Sequence, residues 1–200
     1  MNDNDRRFIG YAITECAKNK IKVILVPKKY VYTEGTKCAG YFDEDDRILV
    51  VATRKPQKDW LPILVHEFCH SQQWVEKEPL YIKITKNKKL DLMWDWLEGK
   101  DMPMSVVRKS IRAYQKMELD CEKRSVRHIK NFQLSIDMDE YIQLANIYVL
   151  FYSILLKTRK WYNKPPYRVK NLMKEVPKNF LKSYIKVPSK FEDMVMKNCF

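Results

Sequence analysis

"WLPILVHEFCHSQQW", residues 60–74, joins the apolar spacing of a helix to a histidine–glutamate–x–x–histidine arrangement at His66, Glu67 and His70. Leu61, Leu64, Val65, Phe68, Gln72 and Val75 share one side of a helical wheel, which suits an anchor to a core. His66, His70 and Gln73 fall on the opposite side, with Ile63 and Trp74 beside them. The spacing predicts a helix from an Asp59 N-cap through about Lys77, with Pro62 tolerated in its first turn.

Working outward, residues 6–18 repeat apolar side chains at helical intervals (Phe8, Ala12, Ile13, Cys16). "IKVILVP" is a short β-branched run that ends at Pro27. Residues 37–53 read as a hairpin, two β-prone runs around the acidic turn Asp43-Glu44-Asp45-Asp46. Downstream, "KKLDLMWDWLEG" reads as a short helix closed by Gly99. Residues 104–132 form a long helix, and Asp137 caps another that runs to about Trp161. The proline-containing remainder is expected as loop with short turns. Strands precede helices instead of alternating with them, so the fold class is α+β, a small sheet followed by the motif helix and a helical C-terminal half.

Composition narrows the function classes. Hydrophobic residues are 46% and charged residues 32% of the 200, which suits a globular chain with a real core. "YIQLANIYVLFYSILL" is too short to span a bilayer and reads as a buried helix, and the first 21 residues lack a signal-peptide apolar stretch, so no membrane association is expected. Five cysteines (Cys16, Cys38, Cys69, Cys121, Cys199), far apart and with no C-x-x-C, argue against a disulfide framework or a cysteine zinc site and for a reducing, cytoplasmic setting. The net charge is +13; residues 157–200 hold twelve Lys/Arg against Glu175, Glu192 and Asp193. That segment is either a solvated basic surface or a contact for nucleic acid or an acidic partner. The expected division is a body over 1–160 and a basic, proline-containing extension over 161–200.

Residues four apart on a helix lie one turn apart on one face, so His66 and His70 can bind one metal ion. The carboxylate of Glu67 borders that face and can act as general base on a water. A catalytic zinc needs a third protein ligand. His128 and a carboxylate are the candidates. In the long helix, Val107, Ile111, Tyr114, Glu118, Glu122, Ser125 and Ile129 fall within a wedge of about 80°. Two carboxylates in a largely apolar stripe are costly unless a metal, a histidine or a basic side chain compensates them. Glu118 can coordinate the ion, and Glu122 can accept the second ring proton of a ligand histidine. His128 lies about 15 Å farther along the helix and off that face, which suits a surface position or a remote polar contact.

"VHEFCH" followed 48 residues after His70 by "ELDCE" resembles the gluzincin-type zinc metallopeptidases, above all their small, minimal members, phage- and virus-borne ones included. The resemblance covers roughly residues 37–131. It implies a zincin-like fold, with a twisted sheet before the active-site helix and an edge strand that binds peptide substrate. It implies one Zn2+ ion held by His66, His70 and Glu118. It also implies hydrolysis of peptide bonds by a zinc-bound water with Glu67 as general base. Glu122 stands where that family usually has aspartate. Tyr114, one turn before Glu118, is a candidate oxyanion donor or a core aromatic; Trp60 and Trp74 read as packing. A viral origin would make the host cytoplasm the setting.

Two other readings compete. One is a catalytically silent metallopeptidase-like domain that serves as a binding, virion or regulatory protein. The other is a nucleic-acid-binding protein that uses the basic C-terminal segment, although zinc knuckles, helix-turn-helix and aromatic RNA-binding signatures are absent.

Overall fold

The computed structural model describes residues 1–33, 35–85 and 92–200. Among them the chain is α+β, with a three-stranded mixed sheet and a separate two-stranded one. It divides into two compact units: Met1–Glu78 with Cys121–Met138, and Pro79–Asp120 with Asp139–Phe200.

The first unit opens with α1 (Asp3–Lys18). The Asn2 side chain caps it by accepting from the Asp5 amide at 2.8 Å, so the helix starts before the first apolar repeat. Strands β1 (Lys22–Val26), β4 (Gly40–Asp43) and β5 (Ile48–Ala52) form one sheet in the order β1-β5-β4. Strand β5 pairs parallel with β1 and antiparallel with β4, which leaves β1 and β4 at the edges. Leu49, Val50, Val51 and Ala52 of the central strand are all buried, as the unbroken apolar run requires. The expected hairpin is β4–β5, and Asp43 fixes its turn by accepting from the amides of Asp45 and Asp46 at 3.0 and 2.9 Å. Residues 36–38 are not part of it; β3 (Thr36–Cys38) pairs instead with β2 (Val31–Thr33).

Helix α2 (Gln57–Val75) packs on β4 and β5. Gly40 permits the approach: a Cβ there would lie 2.7 Å from Ile63 Cγ2 and 2.9 Å from the Val50 carbonyl. Asp59 is not the N-cap. Pro56 holds that position with no side-chain cap, and Asp59 sits in the first turn, where its charge complements the helix dipole.

The second unit is helical: α3 (Pro79–Thr85), α4 (Met93–Leu97), α6 (Met138–Thr158) and α7 (Ser189–Cys199), with two 3-10 turns at Pro166–Arg168 and Lys170–Glu175. The 29-residue α5 (Met104–Phe132) contributes its first part here and its last part to the first unit. Gly99, at φ 105°, closes α4 as expected; residues 88–91 of the anticipated helix lie outside the described residues. The core gathers Val107 and Ile111 of α5, most of α6, and Leu172, Tyr184, Phe191 and Val195. Loop was expected after residue 161. Instead, Phe191, Val195 and Cys199 recur every fourth residue and bury one face of α7. No helix among the described residues is long and apolar enough to cross a membrane.

Candidate metal centre

Helix α2 carries His66, Glu67 and His70 in the first unit. Both imidazoles are half-buried, and their ring centroids lie 4.7 Å apart at 88°. Their Nε2 atoms face each other at 3.1 Å. Each ring's other nitrogen meets an oxygen. His70 Nδ1 is 2.9 Å from Gln73 Oε1, and His66 Nδ1 is 3.3 Å from Glu122 Oε1. An amide carbonyl and a carboxylate both accept; in the tautomers where each Nδ1 donates to them, the Nε2 atoms would turn lone pairs toward each other. Two facing lone pairs repel unless a proton or a cation lies between them. Nitrogens about 2.0–2.1 Å from one tetrahedral zinc ion would sit about 3.3 Å apart. The pair fits the ion.

The last part of α5 builds the rest of the wall. Cys121 Sγ lies 3.6 Å from His66 Nδ1 and donates to the His66 carbonyl at 3.3 Å. Ser125 Oγ donates to Cys69 Sγ at 3.4 Å. Burial raises the Cys69 thiol pKa, but hydrogen bonds with Cys121 and Ser125 and the charges of His66 and His70 outweigh it and bring it below the ordinary value. Among the described residues, His66, His70 and Cys121 form a group that could hold a metal, with donor atoms within 4.8 Å of one another. Within it the two Nε2 atoms are the better-matched pair, because Cys121 lies on the Nδ1 side of His66.

Glu67 is half-buried beside His66. Burial and the Glu67 charge together push the Cys38 thiol of β3 up to about 11. Glu122 is buried at 6% exposure, as the apolar stripe of α5 implied. Gln73 departs from the wheel: it is fully buried, not on an open side. Cys121 and Gln73 are the residues that sequence reasoning missed here. A lone cysteine or glutamine carries no signal of its own, although Cys121 directly precedes Glu122.

Glu118 belongs to the second unit, so the expected trio of His66, His70 and Glu118 is divided between the two units. Glu118 is 7% exposed. Burial first, and then its charge, raises the hydroxyl pKa values of Tyr148 and Tyr152 on α6, whose oxygens lie 3.2 Å apart. Tyr114 packs against the core of that unit. His128 lies in a nest of Phe8, Tyr11, Phe68 and Phe132, with Nε2 2.8 Å from Gln72 Oε1. It is a remote polar contact, not a surface group. Trp74 packs edge-on against Phe42.

No family model, curated protein or solved structure matches the chain.

Proposed function

We propose that the chain is a zinc-dependent hydrolase of peptide bonds, with the zincin-like arrangement its sequence resembles. The observation that carries this reading is the convergence of His66 Nε2 and His70 Nε2 at 3.1 Å while Glu122 and Gln73 occupy the Nδ1 side of each ring. Orientation of both ligand imidazoles from behind is what a metal site needs and what a chance histidine pair lacks. The ion, when bound, supplies Lewis-acid polarisation of the scissile carbonyl and acidifies water. Glu67 takes a proton from the attacking water and delivers it to the leaving amine. Helix spacing puts Glu118, one turn before Glu122 along α5, forward as third ligand, and Cys121, in the same unit as the two histidines, is the other candidate. Edge strand β4, packed against α2, offers its free side to an extended peptide. The five free cysteines suit a reducing compartment such as the cytoplasm.

The test is cleavage of a denatured protein such as casein by the metal-loaded chain. Wild type cleaves it and Glu67→Gln does not, with equal metal content. Full cleavage by Glu67→Gln would overturn the reading. Metal analysis of Glu118→Ala and Cys121→Ala identifies the third ligand: loss in the first supports Glu118, and loss in the second alone assigns a His-His-Cys site.

A further inference from the structure

Helix α4 turns its two tryptophans in opposite directions. Trp96 is 5% exposed in the core of the second unit, whereas Trp94 is 44% exposed. Trp94 meets Trp161, just after α6, with ring centroids 5.0 Å apart and planes tilted by 44°. The two rings line a cavity of about 510 Å³ together with Leu97, Glu98, Arg159 and Lys160. Arg159 is anchored, with Nε donating to the Trp96 carbonyl at 2.7 Å and Nη2 to the Lys100 carbonyl at 2.9 Å. Its charge is therefore fixed at the wall, and Lys160 adds a second cation beside it.

Exposed indole next to fixed cations is the combination that holds an unstacked base and its phosphate. Glu98 adds an acceptor for an exocyclic base amine. Residues 157–200, which supply Lys160 and Trp161, hold twelve Lys/Arg against three acidic residues. A polyanion gains from that excess, and an apolar peptide side chain in the same cavity does not. A duplex keeps its bases stacked, so neither indole could reach a base face. We propose that the Trp94–Trp161 cavity is a binding site for single-stranded nucleic acid, independent of the hydrolytic centre.

The experiment measures fluorescence anisotropy of a labelled oligothymidylate titrated with the full chain at increasing salt. Wild type binds at low salt, and affinity falls steeply as salt rises. Trp94→Ala weakens binding about tenfold, the scale of one lost stacking platform, and Trp94→Phe retains most of it. Lys160→Ala lowers the slope of log affinity against log salt by about 0.7. Trp94 is exposed, so an unchanged circular dichroism spectrum is expected for its variants. Tyr32→Ala, which removes a 64% exposed aromatic from the first unit, binds as wild type. Absence of binding at low salt would overturn the proposal. So would wild-type affinity in Trp94→Ala, an equal loss in Tyr32→Ala, or equal competition by a duplex of the same length.

Discussion

Both units bury polar side chains, but in different arrangements. In the second unit three buried or half-buried amides reach backbone carbonyls. Gln115 donates to the carbonyls of Val149 and Tyr184, and Asn146 to those of Pro177 and Asn179. Gln143 donates to Met173 and Val176. These bonds pin the proline-containing segment onto α5 and α6 and satisfy the buried amides of Gln115 and Asn146. In the first unit, around the two histidines, side chains also meet side chains: His66 with Glu122, His70 with Gln73, Cys69 with Ser125, His128 with Gln72. The second pattern leaves two imidazole nitrogens facing each other, which no packing argument demands. A buried polar group that closes on backbone reads as architecture. One that brings two imidazole nitrogens together at 3.1 Å, each ring held from its other nitrogen, reads as chemistry.

Substitutions separate the two patterns. The largest effect is expected for Glu67→Gln, with peptide hydrolysis down by about 10²–10⁴-fold and metal content unchanged. Next is Glu122→Ala, which frees the His66 ring and should weaken metal affinity by about 10–100-fold, read by competition with a chelating dye. Asn146→Ala should leave metal affinity alone and cost about 1–3 kcal/mol of stability, because the buried Tyr184 hydroxyl loses its acceptor and two carbonyls lose their donor. Equal metal affinities in Glu122→Ala and Asn146→Ala would erase the distinction between the units.

An effect confined to acid pH concerns His128, whose pKa is pushed down from 6.5 to about 4, chiefly by burial and then by Arg127 and Arg124. The unfolded chain takes up this proton near pH 6.5 and the folded chain only near 4. Between those values the unfolded state binds more protons, so stability falls as the pH drops. Melting temperatures of wild type and His128→Gln should therefore diverge across that window, with the wild type steeper. Parallel curves would show that His128 titrates normally.

The motif was legible because its chemistry is local. His66, Glu67 and His70 lie on one helix, and Glu122 stood out as a carboxylate in an apolar stripe. Helix α6 was legible from its apolar run. The start of α2 was not, because Pro56 with its fixed φ competes with an acidic cap one turn later. Helix α7 was obscured by the prolines around it, although Phe191, Val195 and Cys199 carried its period. Gln73 and Cys121 were out of reach for a different reason. Their roles depend on which side of α2 the last turns of α5 cover, and a wheel drawn for one helix contains no such information. The cavity beside Trp94 likewise needs the segment after α6 to bring Trp161 alongside.

The most direct measurement is the metal content of the purified chain by mass spectrometry under native conditions, alongside His70→Ala. The account predicts one zinc-like ion per wild-type chain and none in His70→Ala, with both proteins folded. A folded wild type that takes up no metal from zinc-supplemented buffer, or a stoichiometric ion retained in His70→Ala, would contradict it.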